Sequence, residues 1–242
     1  MPSGGQCHAV LSDQICVKGK AMDASVALKP THMSRPKAQG SDIAIRCLDV
    51  AIASVALAFF SPLLLLIVIA TYVSDPGPIF FGHSRIGKGG CTFKCLKFRS
   101  MVVNAEARLS AILASDAKAR EAWERDHKLT HDPRITRFGR FMRVSSLDEL
   151  PQLWNVIRGD MSLVGPRPIV IGELPRYGRY IESYFSMRPG ITGLWQVSGR
   201  NDVSYRRRVA FDVTFARRRS VAIYFKILIL TIPAVLAQRG SY

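Results

Sequence analysis

The sequence predicts an α+β protein: one membrane-associated N-terminal helix, a small β-hairpin, and a helical remainder with amphipathic surface helices. Three observations carry that prediction. Val50 to Val73 is a run of 24 residues without a charge. Residues 79–98 hold two short apolar segments separated by glycines. The rest is rich in helix formers and basic residues, so that 34 Lys and Arg stand against 18 Asp and Glu, a formal net charge of +16 over 242 residues. A chain of this length can bury one core. Such a charge excess calls for an anionic partner, whether phosphorylated substrate, anionic lipid or nucleic acid.

Residues 1–41 read as a polar, flexible tail, with Met1, Met22 and Met33 as alternative starts. His8, Asp13 and Gln14 interrupt any apolar core that a secretory signal would need. Residues 42–75 carry the apolar run. As a straight helix the run would measure roughly 36 Å at ~1.5 Å per residue, against about 30 Å of hydrocarbon. Length therefore favours a simple span, and spanning helices tolerate proline. Two features favour a re-entrant hairpin instead. Ser61-Pro62 lies at the midpoint, where Pro62 leaves the Ala58 carbonyl without its N–H and bends the helix. Both flanks are basic, Lys29, Arg35, Lys37 and Arg46 before the run and Arg85, Lys88, Lys94, Lys97 and Arg99 after it. The positive-inside rule places both on the cytoplasmic side.

Residues 76–242 form the soluble unit. Pro76-Gly77-Pro78 marks a turn, Ile79 to Phe81 a short strand, Gly87 to Gly90 a loop, and Phe93 to Phe98 a second strand. Residues 101–128 read as one helix with Leu109, Ile112 and Leu113 on a modest apolar face. Arg134, Arg137, Arg140 and Arg143 recur every third residue, followed by Ser145 to Pro151, a helix over Gln152 to Ile157, and a strand running into Gly165-Pro166-Arg167-Pro168. The apolar stretch Val221 to Ala237 is short for a span. It suits either a helix lying on the membrane surface or a C-terminal core helix. Arg206 to Arg208 and Arg217 to Arg219 lie just before it, well placed for anionic headgroups.

Asp148 and Glu149 are the chemically interesting pair. One reading is structural: Ser146-x-x-Glu149 is a capping box, and acids favour a first helical turn. Pro151 spoils that reading in part, and a helix starting at Pro151 would leave both acids on a turn before it. The functional reading is an attack on phosphorus by one carboxylate, forming an acyl phosphate. The second carboxylate would hold Mg²⁺, which takes one or two protein carboxylates plus phosphate oxygens. Nearby arginines would grip phosphate bidentately. Arg167, stiffened by Pro166 and Pro168, is either a phosphate contact or a plain loop arginine. Lys97, in the second strand, is either solvent-facing or a phosphate contact. Phosphate-loop and dinucleotide-binding fingerprints are missing, the five histidines lack ligand spacing, and Cys91 and Cys95 have no second pair to complete a zinc site.

KFRSM (97–101), SLDELPQLWNVIRGDMSLVGPRP (146–168) and RPGITGLWQVSGRN (188–201) closely resemble the bacterial sugar transferase family. These are monotopic polyprenyl-phosphate phosphoglycosyl transferases, and the resemblance covers residues 42–242. Within the family, FKCLKFRSM, GLWQVSGRNDVSY and the closing RGSY resemble the undecaprenyl-phosphate galactose phosphotransferases of succinoglycan-type exopolysaccharide synthesis. The resemblance implies a re-entrant membrane helix broken at Ser61-Pro62. It implies an Asp148 nucleophile, with Glu149 and Asp148 at Mg²⁺, and Arg143 at the polyprenyl phosphate. It implies Lys97 and the Arg167-Pro168 loop at the nucleotide-sugar phosphates. The implied reaction is ping-pong, from a UDP-sugar, galactose before glucose, to undecaprenyl phosphate with release of UMP. The implied place is the cytoplasmic face of the bacterial inner membrane, against anionic headgroups, with downstream glycosyltransferases as partners and no role for nucleic acid. Two rivals stand beside it: a non-enzymatic basic membrane-anchored binding module, and a direct glycosyltransferase releasing UDP. The sequence also departs from the family. Its usual Trp-Ser, with Asp four residues on, is Arg219-Ser220 and Tyr224 here, and its usual Tyr-Tyr is Thr214-Phe215.

Overall fold

The computed structural model describes residues 39–126, 129, 132–198 and 203–236. The tail reading for residues 1–41 thus falls almost wholly outside the described residues, as does the closing RGSY. The architecture mixes helix and sheet, as predicted. Helix α1 runs Gln39–Ser74, followed by strands β1 (Phe80–Ile86) and β2 (Thr92–Phe98). Then come α2 (Ala105–Ser115), α3 (Ala117–Asp126), α4 (Arg137–Ser145) and α5 (Gln152–Arg158). Strand β3 (Ser162–Val164), α6 (Leu174–Tyr177), α7 (Ile181–Phe185) and β4 (Gly190–Thr192) come next. The described chain closes with α8 (Leu194–Val197), α9 (Tyr205–Arg218) and α10 (Val221–Leu236).

Among the described residues, α1 is the one helix long and apolar enough to cross a membrane, and only 11% of its apolar window is buried in the protein. Helical hydrogen bonding runs on through Ser61-Pro62, with Pro62 inside the helix. The Ser61 hydroxyl donates to the Ala58 carbonyl at 2.8 Å, the very acceptor that Pro62 deprives of its N–H. Local repair of this kind is how apolar helices accommodate proline.

Both halves of α1 pack on the same domain. Ile45 and Ala53 join the main core with Val156, Met161, Val164 and Tyr224. Beyond Pro62, Ile67 packs with Phe98 and Met142, flanked by Leu63, Leu64 and Val68. Polar ties hold both ends. Arg46 donates to the carbonyls of Val156 and Ile157 at 2.6 and 2.8 Å, Asp42 pairs with Arg219 at 3.0 Å, and Asp75 pairs with Arg99 at 3.3 Å.

The hairpin is longer than the sequence suggests. Its first strand extends to Ile86, with antiparallel register Phe81↔Lys97, His83↔Cys95 and Arg85↔Phe93. Ser84 to Ile86 pair despite their polar start because β2 and the Ile169 backbone flank them, Ile86 N–H donating to Ile169 at 2.9 Å. The predicted single helix over 101–128 is two helices. Asp116 ends α2 and caps α3, accepting from the N–H groups of Lys118 and Ala119 at 2.8 and 3.1 Å, the N-cap role that short acidic side chains favour. Strands β3 and β4 pair in parallel, Ser162↔Gly190 and Val164↔Thr192. They come so close that a Cβ on Gly165 or Gly190 would overlap the other's backbone. Helix α10 sets buried Tyr224 and Ile227 against the core and leaves Phe225, Ile229 and Ile232 exposed, an outward apolar stripe at helical spacing.

One carboxylate locks this arrangement. Asp49 on α1 is 1% exposed. One of its oxygens accepts from Ser162 Oγ at 3.0 Å, the Leu163 N–H at 2.8 Å and the Tyr224 hydroxyl at 2.8 Å. Replacing Asp49 by Ala strands three buried donors. The expected loss is about 2–5 kcal/mol of stability, against about 1 kcal/mol for Tyr224→Phe, which removes a single donor. Chemical denaturation in nanodiscs checks the order, and equal losses for the two variants would contradict the shared-acceptor account.

Candidate active site

The capping box does not form. Ser146 closes α4 in the left-handed conformation at φ 57° and makes no side-chain cap. Leu147–Glu149 is a single 3-10 turn, and α5 begins after Pro151. The acids therefore sit on a turn between two helices, free of a capping duty. The turn is pinned from below by Leu147 and Leu150, which pack with Phe98 and Met142.

Strand β2 brings the cation. Lys97 Nζ lies 2.6 Å from Glu149 Oε1 and 3.7 Å from Asp148 Oδ2. Asp148 is 7% exposed. Burial is the main influence on its carboxyl and pushes it above the usual carboxylate range; Lys97 opposes, Glu149 adds to the rise, and Arg143 opposes. An acid that is desolvated, close to a like charge and still faced by cations is the pattern expected of a reacting group.

Helix α4 supplies Arg143. Thr136 caps the helix by accepting from the Gly139 N–H at 2.8 Å. Gly139 lies directly on the Ser100 backbone, where any Cβ would overlap it. That contact brings Arg143 Nε to Ser100 Oγ at 2.8 Å and its charge within reach of Asp148. The regular row of arginines does not act as one unit. Arg134 is buried, paired with Asp132 at 2.6 Å and stacked over Trp123. Arg137 and Arg140 are exposed.

Arg167 is exposed, and among the described residues it makes no hydrogen bond. Its loop is held firmly: the Tyr184 hydroxyl, fully buried, accepts from the Ile169 N–H at 3.2 Å and donates to the Ile86 carbonyl at 2.7 Å. The Pro168 carbonyl accepts from Arg85 Nη1 at 3.2 Å. Burial first, then Arg167, weighs against the charge on Arg85. Between the two groups of charges lies Cys95, buried in the main core, whose thiol feels Lys97 and Glu149 together with Arg85 and Arg167.

The structure therefore brings Asp148, Glu149, Lys97 and Arg143 together and puts Arg167 and Pro168 on an adjoining wall. Ser61 and Pro62 stand apart in α1. Sequence reasoning missed Arg85, Ser100 and Tyr184. Arg85 had one legible signal, since in the hairpin register it shares the strand face of Lys97. Ser100 lies within the KFRSM string, but its contact with Arg143, like that of Tyr184 with Ile86, spans more than 40 positions of sequence and left no local signal. The two arginine clusters also divide. Arg208 stacks over Trp195 and Arg219 pairs with Asp42, while Arg206, Arg207, Arg217 and Arg218 stay exposed. No cluster of three or more metal-ligating side chains occurs among the described residues. Two adjacent carboxylates already facing an ammonium group nonetheless fit an ion that takes its other ligands from phosphate and water.

Comparison with known proteins matches this architecture to a family. The profile described as bacterial sugar transferase covers residues 40–238. The exopolysaccharide production protein ExoY of Sinorhizobium fredii is 52% identical over 200 residues, 83% of this chain and 88% of that protein. The UDP-galactose-lipid carrier transferase of Erwinia amylovora is 54% identical over 178 residues, 74% of this chain but 37% of its own length. The UDP-glucose:undecaprenyl-phosphate glucose-1-phosphate transferase of Caulobacter vibrioides is 36% identical over 247 residues, 96% of this chain and 86% of that protein. The chain thus spans well under half of the Erwinia protein and most of the other two. With the profile covering nearly the whole described chain, and with the acid pair and the strand lysine brought together, this protein belongs to the bacterial sugar transferase family.

Proposed function

We propose that this chain transfers a sugar 1-phosphate from a UDP-sugar to undecaprenyl phosphate, releasing UMP, in the assembly of an exopolysaccharide. The observation that carries the proposal is the buried Asp148 carboxyl facing Lys97 beside Glu149. Family membership supports it. Galactose is the favoured sugar, because the relative named for UDP-galactose is 54% identical and the one named for UDP-glucose is 36% identical.

An Asp148 oxygen attacks the sugar-bearing phosphorus. The bond from that phosphorus to the bridging oxygen breaks, and UMP leaves with the electron pair. The polyprenyl phosphate then attacks the same phosphorus. This breaks the acyl-phosphate bond, restores the carboxylate and yields polyprenyl-diphospho-sugar. Two displacements replace one direct displacement between two anions. Lys97 screens the incoming phosphates from the carboxylates, and Arg143, on the α4 side, receives the acceptor phosphate. Glu149 and Asp148 would hold Mg²⁺, which when bound neutralises phosphate charge.

The place of reaction follows from α1. Both ends of its apolar segment contact one domain, which supports a helix that enters and leaves by one face, at the headgroup plane on the cytoplasmic side of the inner membrane. The exposed Phe141 and Val144 of α4 and the outward stripe of α10 suit the same plane. A lipid phosphate and a soluble nucleotide can meet there.

Three outcomes are expected. Asp148→Asn should lose turnover by on the order of 10⁴-fold or more, and mass spectrometry of protein incubated with donor alone should lose a sugar-phosphate adduct at residue 148. A variant that turns over normally would overturn the mechanism. The second outcome concerns pH. The nucleophile must be ionised and its pKa is raised, so kcat/KM should fall with decreasing pH below an acid limb that lies above the ordinary value of about 4. Removing the opposing cation in Lys97→Met should move that limb higher still; a downward move would contradict the ion-pair geometry. Third, single cysteines replacing Asp42 and Ser74 should both resist an impermeant thiol reagent applied outside intact cells. Labelling of one alone would mean a simple span.

A further inference from the structure

Strand β2 pairs with β1 along one edge, and among the described residues their sheet has no third strand. The other edge of β2 meets helix α5, where Asn155 serves it. Asn155 is completely buried. Its Oδ1 accepts from the Leu96 N–H at 2.9 Å, and its Nδ2 donates to the Lys94 carbonyl at 2.8 Å. One residue of a neighbouring parallel strand would make the same two bonds, because these two backbone groups point to the same edge. The amide cannot be turned over. The Leu96 N–H can only donate, while the Lys94 carbonyl and the Asp160 carboxylate, which accepts from Nδ2 at 3.1 Å, can only accept.

We propose that Asn155 is a positioning residue: its amide takes the place of a third strand, locks β2 to α5, and thereby holds the Lys97 ammonium on the Asp148–Glu149 pair. The inference rests on the reading of that pair as the reacting acids, and it adds a residue that acts on them through Lys97.

Chain order carries the argument. Leu150 and Pro151 alone separate the acids from α5, and Lys97 directly follows Leu96. Helix α4, on the other side of the acids, holds the chain just beyond β2. Arg143 Nε donates to Ser100 Oγ at 2.8 Å, and the N–H of Thr136, which caps α4, donates to the Ser100 carbonyl at 3.2 Å. Lys97 thus lies between two anchors, one on each helix that flanks the acid turn. The remaining contact is apolar, Leu147 and Leu150 against Phe98. Apolar contact is non-directional and does not fix where a strand lies along its own length. The amide does. A slip of one residue turns Lys97 to the opposite face, and a slip of two carries it about 7 Å away at ~3.4 Å per residue. Lys97 Nζ reaches Glu149 at 2.6 Å and Asp148 at 3.7 Å, so a shift far smaller than either slip already weakens its hold on the acids.

The test titrates Asp148 directly, by carboxyl NMR of the full chain in nanodiscs with isotopically labelled aspartate; Asp148→Asn assigns the signal. Besides burial, the groups that act on this carboxyl are Lys97 from β2, Glu149 on the same turn and Arg143 from α4. Lys97 holds the pKa down. Asn155→Leu frees the strand edge and should move the pKa up, by no more than Lys97→Met does. Added to Lys97→Met, it should move it no further. Turnover should follow: kcat/KM falls by roughly 10- to 100-fold in the single variant, and by less than about 2-fold on top of Lys97→Met. Asn155→Ser, whose shorter hydroxyl reaches one strand group at most, should act in the same direction by less, and it decides the matter if Asn155→Leu does not fold. An unmoved Asp148 titration in the folded variants overturns the inference. So does an equal move with and without Lys97, which is what general loosening of the core would give. Failure of the reaction reading looks different: wild-type protein would release UDP in place of UMP, or form no adduct at Asp148, while the titrations still shift as described.

Discussion

The whole arrangement depends on how α1 is fixed to the soluble domain, and Asp49 is the central fastening. A carboxylate this deeply buried is tolerated only because three donors converge on it. Two of those donors open β3, the strand that runs into the Pro-Arg-Pro loop. The third belongs to α10. The first half of α1 therefore sets the height of the wall that carries Arg167. The second half does the same for the opposite wall: Ile67 packs under Phe98 and Met142, next in sequence to Lys97 and Arg143. Each half of the membrane helix supports one side of the site, so the cationic pocket and the apolar segment cannot move independently. An enzyme acting on a lipid-linked phosphate gains from that coupling, because the depth of the helix then fixes the depth of the acid pair.

The electrostatics are arranged at the expense of stability. Asp148 is ionised only against the pull of burial. With its pKa raised on folding, the ionised acid opposes the folded state as pH rises through that pKa, and protonation relieves the strain at lower pH. The contrast with Asp132 is instructive. Burial also pushes that carboxyl upward, but hydrogen bonds from Arg134 outweigh it and leave its pKa lowered. That pair favours the folded state above the ordinary carboxylate range and gives this up as pH falls through the depressed pKa. Two aspartates sixteen positions apart are thus pushed in opposite directions, one held ionised at the entry to α4 and one pushed toward its protonated form just beyond its exit.

Much of this was legible in the residues. The 24-residue uncharged run located α1, the glycines located the hairpin, and Pro151 marked where α5 would begin. The acids and Lys97 came through contiguous motifs, and Arg143 through the resemblance those motifs carry. What stayed hidden depends on distant pairing. The extension of β1 to Ile86 rests on the Ile169 backbone, and the division of the 101–128 helix rests on Asp116 preferring to cap rather than to continue. The triplet spacing of the arginines was misleading in one place. A period of three suggests a single helical stripe, but Arg134 precedes α4 and is consumed by Asp132. Local pattern reports which residues share a face; it does not report which charges are already satisfied.

The departures at the C-terminal end then have a physical reading. Where the resemblance leads one to expect Asp, this chain has Tyr224, and its hydroxyl donates to Asp49 in full burial. Tyr224 thereby ties α10 to α1 within the core. Arg219, in place of the usual Trp, reaches Asp42 at the start of α1 instead. This chain thus fastens its C-terminal segment to α1 by a hydroxyl and an ion pair.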